Sequence, residues 1–309
     1  MELTVILLLL ATGALVLPLL GGDEDNNDDQ EIRGTFEDDE LNGTQGDDLI
    51  LGWQGNDVIN GGDGDDTIRA GAGDDIVNGG AGRDIIDGAS GDDILNGDAG
   101  DDTIEGDAGN DIIDGGAGND IVRAGAGDDI VRGGSGTDTL RGESGDDTIY
   151  LWGASGEAYG GDDDDEMIMV TGRGEFETGS GDDTIYALAN DDDDQQTVAI
   201  ITDFNPISSD DRIVMTIDTD DETALDAELS VEVTLGNLNG IAGYNVDVTF
   251  ADEADEPADF ETSRVFIYGT GLTPQQILDS IDVAVTHNAS LDTPETTLAA
   301  VQAAAAPPV

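Results

Sequence analysis

Aspartate returns at every ninth residue along the first half of the chain. In the stretch GAGDDIVNGGAGRDIIDGASGDDILNG, from Gly71 to Gly97, this spacing gives Asp75, Asp84 and Asp93. Carboxylate oxygens are the ligands that hard divalent cations prefer. The whole chain carries 72 Asp and Glu against nine basic residues, a formal net charge of -63. Such a charge favours cationic partners and excludes nucleic acid, because phosphates must be neutralised by basic side chains.

The aspartates belong to a nine-residue repeat that fixes several positions at once. Twelve consecutive nonapeptides, residues 43–150, place Gly at the fourth position, Asp at the sixth and an aliphatic residue at the eighth without exception. The frame begins with a worn copy at 34–42, continues through degenerate copies at 151–177 and recovers at 178–186. Residues 34–186 are therefore predicted to form one repeat array, and repeats of this kind indicate a solenoid.

Each position of the nonapeptide predicts a structural role. Glycine at the fourth position suits a tight turn with a positive φ. The seventh to ninth positions carry β-branched and aliphatic residues and predict a very short strand, in which only the eighth side chain points inward. The sixth-position Asp then lies in the turn, at the edge of the stack. The expected fold class is all-β.

The consensus Gly-Gly-x-Gly-x-Asp-x-aliphatic-x resembles the nonapeptide of the RTX (repeats-in-toxin) calcium-binding family. The resemblance covers about half of the chain, and its twelve unbroken copies make it specific. It implies a right-handed parallel β-roll in which two nonapeptides form one coil. It also implies Ca²⁺ between the turns, bound by Asp carboxylates and main-chain carbonyls. The metal ligands implied in this way are Asp48, Asp57, Asp66, Asp75, Asp84, Asp93, Asp102, Asp111, Asp120, Asp129, Asp138, Asp147 and Asp183.

In the family pattern, aspartates two nonapeptides apart stack in a row and neighbouring pairs share an ion, which implies roughly ten Ca²⁺ sites. Without metal, stacked carboxylates repel each other by about 1 kcal/mol per pair even in water, so calcium binding is expected to supply folding free energy. Some copies depart from the pattern. Asp163 replaces a fourth-position glycine, and Gly156 and Gly174 replace sixth-position aspartates. We therefore expect no full calcium site over residues 151–177, and the stacked partner of Asp183 is in doubt.

The seventh position of each nonapeptide is predicted to face outward. One row is apolar and reads Val58, Ile76, Ile94, Ile112, Ile130 and Thr148. The opposite row is mixed and reads Leu49, Thr67, Ile85, Thr103, Ile121 and Thr139. We favour β-propensity as the reason for the apolar row. The alternative hypothesis is a docking surface for the C-terminal region or for another molecule.

The repeat array is preceded by two segments of different character. Residues 1–22 are apolar, and the stretch 3–20 has a length between that of a signal h-region and that of a membrane span. We predict an export signal or a membrane anchor there, with residues 3–20 as the anchoring part. Residues 23–33 are predicted to be an acidic spacer.

Beyond the repeats, residues 195–292 predict a small β-rich domain. Five strand-like segments are followed by a helix with Thr273 as N-cap, Pro at the next position and Gln276 completing a capping box, and then by a sixth strand. The segment beginning at Asp203, Asp-Phe-Asn-Pro, resembles the end of RTX arrays that leads into a type I secretion region. Residues 293–309 predict a second short helix or a disordered tail.

The sequence favours an extracellular or cell-surface calcium-binding β-roll that acts as a structural, adhesive or surface module. Beyond calcium ions, the candidate partners are a surface polysaccharide and a second copy of the chain. The alternative is an RTX-type secreted enzyme, a hydrolase or a polysaccharide-modifying enzyme, with its active site in residues 195–292. We expect no enzyme, because the sequence has no His-Glu-x-x-His motif, no Gly-x-Ser-x-Gly motif and no cysteine.

Overall fold

The computed structural model describes residues 29–152, 155–169, 173–189, 198–203, 211–219, 229–238, 241–251, 260–268 and 273–287. The predicted anchor at 3–20, most of the acidic spacer and the tail at 293–309 lie outside these ranges. Within them, no helix has the length and apolarity needed to span a membrane.

The described chain is almost entirely β-structure. The strands are β1 (Glu31–Arg33), β2 (Glu40–Asn42), β3 (Leu49–Gln54), β4 (Val58–Asp63), β5 (Thr67–Ala72), β6 (Ile76–Ala81), β7 (Ile85–Ser90), β8 (Ile94–Ala99), β9 (Thr103–Ala108), β10 (Ile112–Asp114), β11 (Ile121–Ala126), β12 (Ile130–Arg132), β13 (Thr137–Ser144), β14 (Thr148–Leu151), β15 (Ser155–Asp162), β16 (Glu166–Met169), β17 (Arg173–Ser180), β18 (Thr184–Ala189), β19 (Val198–Ile201), β20 (Arg212–Thr219), β21 (Leu229–Leu238), β22 (Ile241–Ala251), β23 (Phe260–Tyr268) and β24 (Ile281–His287). One short helix, α1 (Pro274–Leu278), lies between β23 and β24.

These strands form two sheets that share the repeat array. The first sheet has the order β1-β3-β5-β7-β9-β11-β13-β15-β17-β19-β23-β22-β21, and the second has the order β2-β4-β6-β8-β10-β12-β14-β16-β18-β20-β24. Odd and even strands of the array therefore alternate between the sheets, and the chain winds as a parallel β-solenoid. The predicted all-β roll is confirmed.

Two nonapeptides make one turn of the solenoid. In the first sheet Leu49 aligns with Thr67, and Thr67 aligns with Ile85. In the second sheet Val58 aligns with Ile76 in the same way. Residues two nonapeptides apart are thus neighbours across the strands, which confirms the predicted stacking.

The repeat strands are longer than the sequence suggested. Most have six residues, from the seventh position of one nonapeptide to the third position of the next. Two positions on each strand face inward: the aliphatic eighth, such as Ile50 and Ile59, and the small first, such as Gly52 and Gly61. The predicted three-residue strand was too short, because the glycine-rich start of each nonapeptide also pairs with its equivalent in the next turn.

Glycine at the fourth position is required by both conformation and space, as predicted. Gly91 has a φ of +133°, and a Cβ there would lie 2.0 Å from the carbonyl oxygen of Gly73 in the preceding turn. A side chain would therefore be strained and would also clash with the neighbouring backbone. Asp163, which replaces this glycine in one copy, has a φ of +78°. Aspartate tolerates this region better than most residues.

The acidic side chains at the fifth position are exposed and accept hydrogen bonds from the backbone of the next turn. Asp47 Oδ1 accepts the backbone N–H of Asp65 at 2.8 Å, and Asp65 Oδ1 accepts that of Arg83 at 2.9 Å. Asn110 Oδ1 accepts from Asp128 at 3.1 Å, so an amide oxygen replaces the carboxylate. Asn can therefore replace Asp at the fifth position, because this hydrogen bond needs only an acceptor oxygen.

The C-terminal strands continue the two sheets of the roll. β23 pairs in parallel with β19 in the first sheet, and β24 pairs in parallel with β20 in the second. All the predicted strand segments between 196 and 287 are present, and α1 has the predicted capping box, with Thr273 N–H donating to Gln276 Oε1 at 2.9 Å. The boundaries 195–292 of a separate domain stay a prediction.

The seventh-position side chains face outward, as predicted. Val58, Ile76, Ile94 and Ile112 are 37–45% exposed on the second sheet. Ile130, the next member of the row, packs against a buried outer cluster of Tyr150, Ile168 and Tyr186. The docking hypothesis for this row stays a prediction.

Candidate metal centre

The sixth-position aspartates form two rows, one along each edge where the chain turns between the sheets. The short row contains Asp48, Asp66, Asp84, Asp102, Asp120 and Asp138, in the turns that enter the first sheet. The long row contains Asp39, Asp57, Asp75, Asp93, Asp111, Asp129, Asp147, Asp165 and Asp183, in the turns that enter the second sheet. Every member of both rows is buried, and most are about 1% exposed. Carboxylates this deep must be hydrogen-bonded or bound to a cation.

From the second member of each row onward, one carboxylate oxygen accepts the backbone N–H of the preceding member. Asp66 Oδ1 accepts the backbone N–H of Asp48 at 2.8 Å, and Asp84 Oδ1 accepts that of Asp66 at 2.8 Å. The long row repeats this contact from Asp39, which donates to Asp57, as far as Asp165, which donates to Asp183 at 3.0 Å. The turn geometry therefore stacks each aspartate next to the equivalent aspartate 18 residues later.

The second carboxylate oxygen is different. Within the described residues, twelve buried Oδ2 atoms have no hydrogen-bond partner. They belong to Asp57, Asp66, Asp75, Asp84, Asp93, Asp102, Asp111, Asp120, Asp129, Asp138, Asp147 and Asp165. Leaving one buried polar group unsatisfied costs about 1–3 kcal/mol, and more when the group is charged.

The space beside these oxygens suits a cation. A Cβ built on Gly61 would lie 2.4 Å from Asp66 Oδ2 and 2.4 Å from the carbonyl oxygen of Gly79 in the next turn. A Cβ on Gly106 would lie similarly close to Asp111 Oδ2 and to the carbonyl oxygen of Ala124. A carboxylate oxygen and a carbonyl oxygen therefore converge beside the first-position glycine, and we call this arrangement the cradle.

The donor set of the cradle fits Ca²⁺, which takes six to eight oxygen ligands in a flexible shell. The described ranges hold no group of three or more His, Cys, Asp or Glu side chains that could bind a metal. Beside Gly61 and Gly106, one main-chain carbonyl oxygen stands next to each carboxylate oxygen. Carboxylate plus carbonyl coordination is the arrangement that the sequence resemblance implied.

Burial raises the pKa of the row carboxyls, because desolvation penalises the charged form and neighbouring carboxylates repel it. The pKa rises to about 6 at Asp84 and Asp102 in the short row. In the long row it rises to about 7 at Asp93 and Asp147. Backbone N–H donors lower these values but do not outweigh burial. A bound divalent cation would hold the groups ionised at neutral pH.

The long row corrects one expectation about the degenerate copies. Asp165, in the copy that lacks its fourth-position glycine, is buried between Asp147 and Asp183. A Cβ on Gly160 would lie 2.3 Å from Asp165 Oδ2 and 2.4 Å from the carbonyl oxygen of Thr178. The cradle is therefore complete within 151–177, where none was expected, and Asp183 does have a stacked partner.

The short row ends as the sequence suggested. Gly156 and Gly174 align with Asp138 in successive strands and offer no carboxylate. A Cβ on Gly156 would lie 2.6 Å from the Leu151 side chain, and one on Gly174 would lie 3.0 Å from Met169 Sδ. Leu151 and Met169 occupy the first position of these two nonapeptides. An apolar side chain therefore fills the space that the cradle occupies elsewhere.

Two of the sequence-predicted ligands differ from the rest, because a threonine lies near their carboxylates. Asp48 Oδ2 accepts the Thr44 N–H at 2.6 Å and the Thr44 hydroxyl at 3.0 Å. Near Asp183, the Thr178 hydroxyl acts to lower the pKa of that carboxyl, and it donates to Asp203 Oδ1 at 3.3 Å. Asp39, at the start of the long row, has the same contacts to Thr35 as Asp48 has to Thr44.

Sequence reasoning missed three buried aspartates at the rows. Asp39 and Asp165 hold the sixth position in copies without the fourth-position glycine, so reading the sixth column by itself would have found them. Asp211 follows Asp183 along the same edge, since Arg212 N–H donates to the Asp183 carbonyl at 2.8 Å. It lies outside the nonapeptide frame, and no periodic signal marks it.

Comparison with known proteins agrees with the geometry. The sequence model of the RTX calcium-binding nonapeptide repeat, which spans four copies, matches residues 21–59, 33–68, 60–95, 87–122, 123–153 and 171–193. Together these segments cover just over half of the chain. A search of curated proteins found no match. The family match ends at residue 193, so the resemblance of the following segment to a type I secretion region stays a prediction.

Proposed function

The chain belongs to the family of proteins built from the RTX calcium-binding nonapeptide repeat, and on that premise we propose that it is an extracellular structural module. In this proposal Ca²⁺ folds the β-roll outside the cell, and the folded roll serves as a rigid adhesive or surface element. The calcium-binding β-roll is the family property, whereas the extracellular site of action and the structural role are proposed.

The observation that carries the proposal is the set of twelve buried Oδ2 atoms without a hydrogen-bond partner in the described residues. A metal-free roll must bury these charges uncompensated or protonate them. A bound cation removes that cost, so metal binding becomes folding free energy. Calcium sites of extracellular modules have dissociation constants of roughly 10⁻⁴–10⁻³ M. With such affinities the chain would stay unfolded at the low calcium concentration inside a cell and would fold outside it.

A structural role is supported by how the roll uses its residues. The buried carboxylates of the two rows lie in the repeated turns, and the inward-facing strand positions carry small and aliphatic side chains. A groove on the first sheet, lined by Thr67, Arg69, Ile85, Asp87 and Glu105 among others, holds ≈ 150 Å³. Small-molecule sites usually hold roughly 300–1,000 Å³. The enzyme alternative places its site in residues 195–292, and no observation on the described part of that range singles out catalytic groups.

The test of calcium-driven folding uses the full chain. Far-UV circular dichroism is recorded in EGTA and during titration with CaCl₂, with MgCl₂ as the control. We expect a cooperative gain of β signal with calcium alone, since magnesium demands a smaller and more rigid shell. A β spectrum that is already complete in EGTA would overturn the proposal.

The test of location follows the chain in cells that produce it. Medium, cell surface and cell interior are separated, and the chain is detected in each with an antibody. The proposal requires the folded chain in the medium or on the surface. Accumulation of a folded, calcium-loaded chain in the interior would contradict it.

A further inference from the structure

We propose that the first turn of the roll rests on a lipid bilayer, with the side chains of Phe36 and Trp53 at the membrane–water interface. The inference rests on the proposed function, since it names the surface that the folded surface element serves. It also uses the predicted anchor at residues 3–20, which precedes the roll in the chain. Two observations carry it: the exposure of these two rings, and their place beside the point where the chain enters the roll.

Phe36 and Trp53, which we call the aromatic pair, are in contact and exposed. Phe36 is 69% exposed and Trp53 is 48% exposed, and their ring centroids lie 6.3 Å apart at an interplanar angle of 74°. The other exposed large hydrophobic side chains of the described residues are Val and Ile on the sheet faces. Rings this exposed keep apolar surface in water, and a partner that buries them gains free energy.

The backbone of Trp53 has a conformation that suits glycine. Its φ is +86°, which is rare for a bulky residue. Gly71, which aligns with Trp53 in the next strand of the sheet, has a φ of +120°. A tryptophan here therefore strains the backbone and leaves its ring half exposed, and neither feature stabilises the roll. Strain of this kind points to a role outside the fold.

The aromatic pair lies at the end of the roll that follows the predicted anchor. Phe36 is in the turn that joins β1 to β2, which are the first described strands of the two sheets. Trp53 is in β3, which pairs with β1. Asp29, the first described residue, accepts the backbone N–H of Asp47 at 3.2 Å. The chain therefore enters the roll within the same first turn that carries the pair.

The connection between the anchor and the roll is short. Asp29 follows Leu20 by nine residues in the sequence, and a fully extended connection of this length spans roughly 30 Å. An anchored chain must therefore keep the first turn of its roll near the bilayer. Tryptophan is enriched at membrane–water interfaces, where its amphipathic ring lies at the level of the headgroups. Trp53 is within reach of such a position.

The charge around the aromatic pair selects the kind of bilayer. Glu37 and Asp38 follow Phe36 in the same turn and are exposed. Anionic headgroups repel these carboxylates, so a zwitterionic phosphatidylcholine surface fits the pair better. A polysaccharide also stacks on aromatic rings, but it gives no reason for the pair to lie at the end of the roll that follows the anchor.

The experiment uses the two tryptophans of the chain as separate reporters. Trp152→Phe leaves Trp53 as the reporter. Trp53→Phe is the matched control, which leaves Trp152, a residue that packs against the outer cluster of Tyr150, Ile168 and Tyr186. Each full chain is added to phosphatidylcholine vesicles in CaCl₂, with and without bromine on the acyl chains, because bromine quenches tryptophan emission only at close range. We expect Trp53 emission to shift to shorter wavelength and to lose intensity with brominated lipid, and Trp152 emission to stay unchanged.

A second comparison does not depend on the Trp152→Phe variant. Trp53→Gly relieves the positive φ, because glycine already occupies the equivalent place at Gly71, and circular dichroism in calcium checks that the roll folds. The wild-type chain should show the wavelength shift and the quenching, and Trp53→Gly should show neither.

Each outcome decides between the claims. A full chain that gains no β signal with calcium overturns the proposed function, whatever the vesicles show. A folded chain that does not bind the vesicles, or that binds them without quenching of Trp53, overturns the lipid contact alone. Equal quenching of Trp53 and Trp152 overturns the placement of the first turn on the bilayer. A change of Trp53 emission with dextran and none with vesicles assigns the aromatic pair to a polysaccharide and overturns the lipid contact.

Discussion

The short row and the long row use one nonapeptide, yet beyond residue 150 they fill the same space in different ways. On the short edge, Leu151 and Met169 take the place of glycine, and Gly156 and Gly174 take the place of aspartate. On the long edge, Gly160 and Asp165 keep the regular pair.

The difference shows that a turn of this roll can be stabilised in two ways. An apolar first-position side chain packs into the core and needs no ion, because burying it removes apolar surface from water. A glycine there leaves a carboxylate oxygen facing a carbonyl oxygen. Unless a neighbouring donor reaches that carboxylate, as Thr44 does at Asp48, the turn needs a bound cation or a protonated carboxyl. Phe176, the largest fully buried side chain among the described residues, lies in one of the two copies of the short edge that have lost their aspartate.

Calcium removal is expected to have the largest effect, and it should act on both rows together. EGTA leaves all twelve unpaired Oδ2 atoms without a counter-charge, so the repeats from β3 to β16 are expected to lose their hydrogen-exchange protection. Hydrogen exchange read by mass spectrometry measures this. The apolar turn around Leu151 and Phe176 should keep more protection than the regular turns. Uniform protection in EGTA would contradict the comparison.

Alanine at the fourth-position glycines should destabilise the two edges equally. A Cβ on Gly91 in the long edge would lie 2.0 Å from a carbonyl oxygen, and one on Gly100 in the short edge would lie 1.5 Å from another. Because both glycines also have a positive φ, each substitution is expected to lower the free energy of unfolding of the calcium-loaded protein by about 2–5 kcal/mol. Urea unfolding measures this change. The control is Asp163→Gly, which relieves a φ of +78° and should stabilise by about 1 kcal/mol. A large difference between the two edges would show that the turns are not equivalent.

Acid is expected to compensate in part for missing calcium on both edges. Burial raises the pKa of Asp66 and Asp138 in the short row and of Asp75 in the long row to about 6, and that of Asp129 and Asp165 in the long row to about 7 and about 8. Unfolded aspartate has a pKa of about 3.9, so the folded state binds protons more tightly than the unfolded state.

The stability from protonation is therefore complete below about pH 4 and is lost as the pH rises through 6 to 8. In EGTA, circular dichroism should show β signal increasing as the pH falls from 8 to 5. With calcium present the trend reverses, because protons compete with the metal for the same oxygens. A metal-free chain that loses β signal on acidification would contradict the raised pKa values.

The outer apolar row should have the smallest effect. Ile94 and Ile112 are about two-fifths exposed on the second sheet. Changing both to Thr, which has similar β-propensity, is expected to alter the free energy of unfolding by less than about 0.5 kcal/mol per site. Thermal unfolding and size-exclusion chromatography in calcium measure stability and oligomer size. A shift in oligomer size would instead favour the docking hypothesis.

Much of the fold could be predicted because each position of the repeat carries one physical requirement. Ile50 and its equivalents had to face inward, and Gly91 had to adopt a positive φ. The strands beyond the repeats and the cap at Thr273 follow from local residue patterns. The pairing of β23 and β24 with the roll could not be predicted, since strand partners far apart in sequence leave no local signal.

The sequence by itself determined the frame, the two rows and the kind of ion they suit, because a strict period of nine returns every aspartate to the same place in the turn. The tertiary structure decided which carboxylate oxygens lack a partner. Asp183 has the regular sixth position but a threonine at the first position of its nonapeptide, whereas Asp165 lies in an irregular copy and has an open cradle beside Gly160. The physical reason is that an ion binds to the oxygens that converge from neighbouring turns. Residues 18 apart in sequence become neighbours only when the chain has folded into the solenoid.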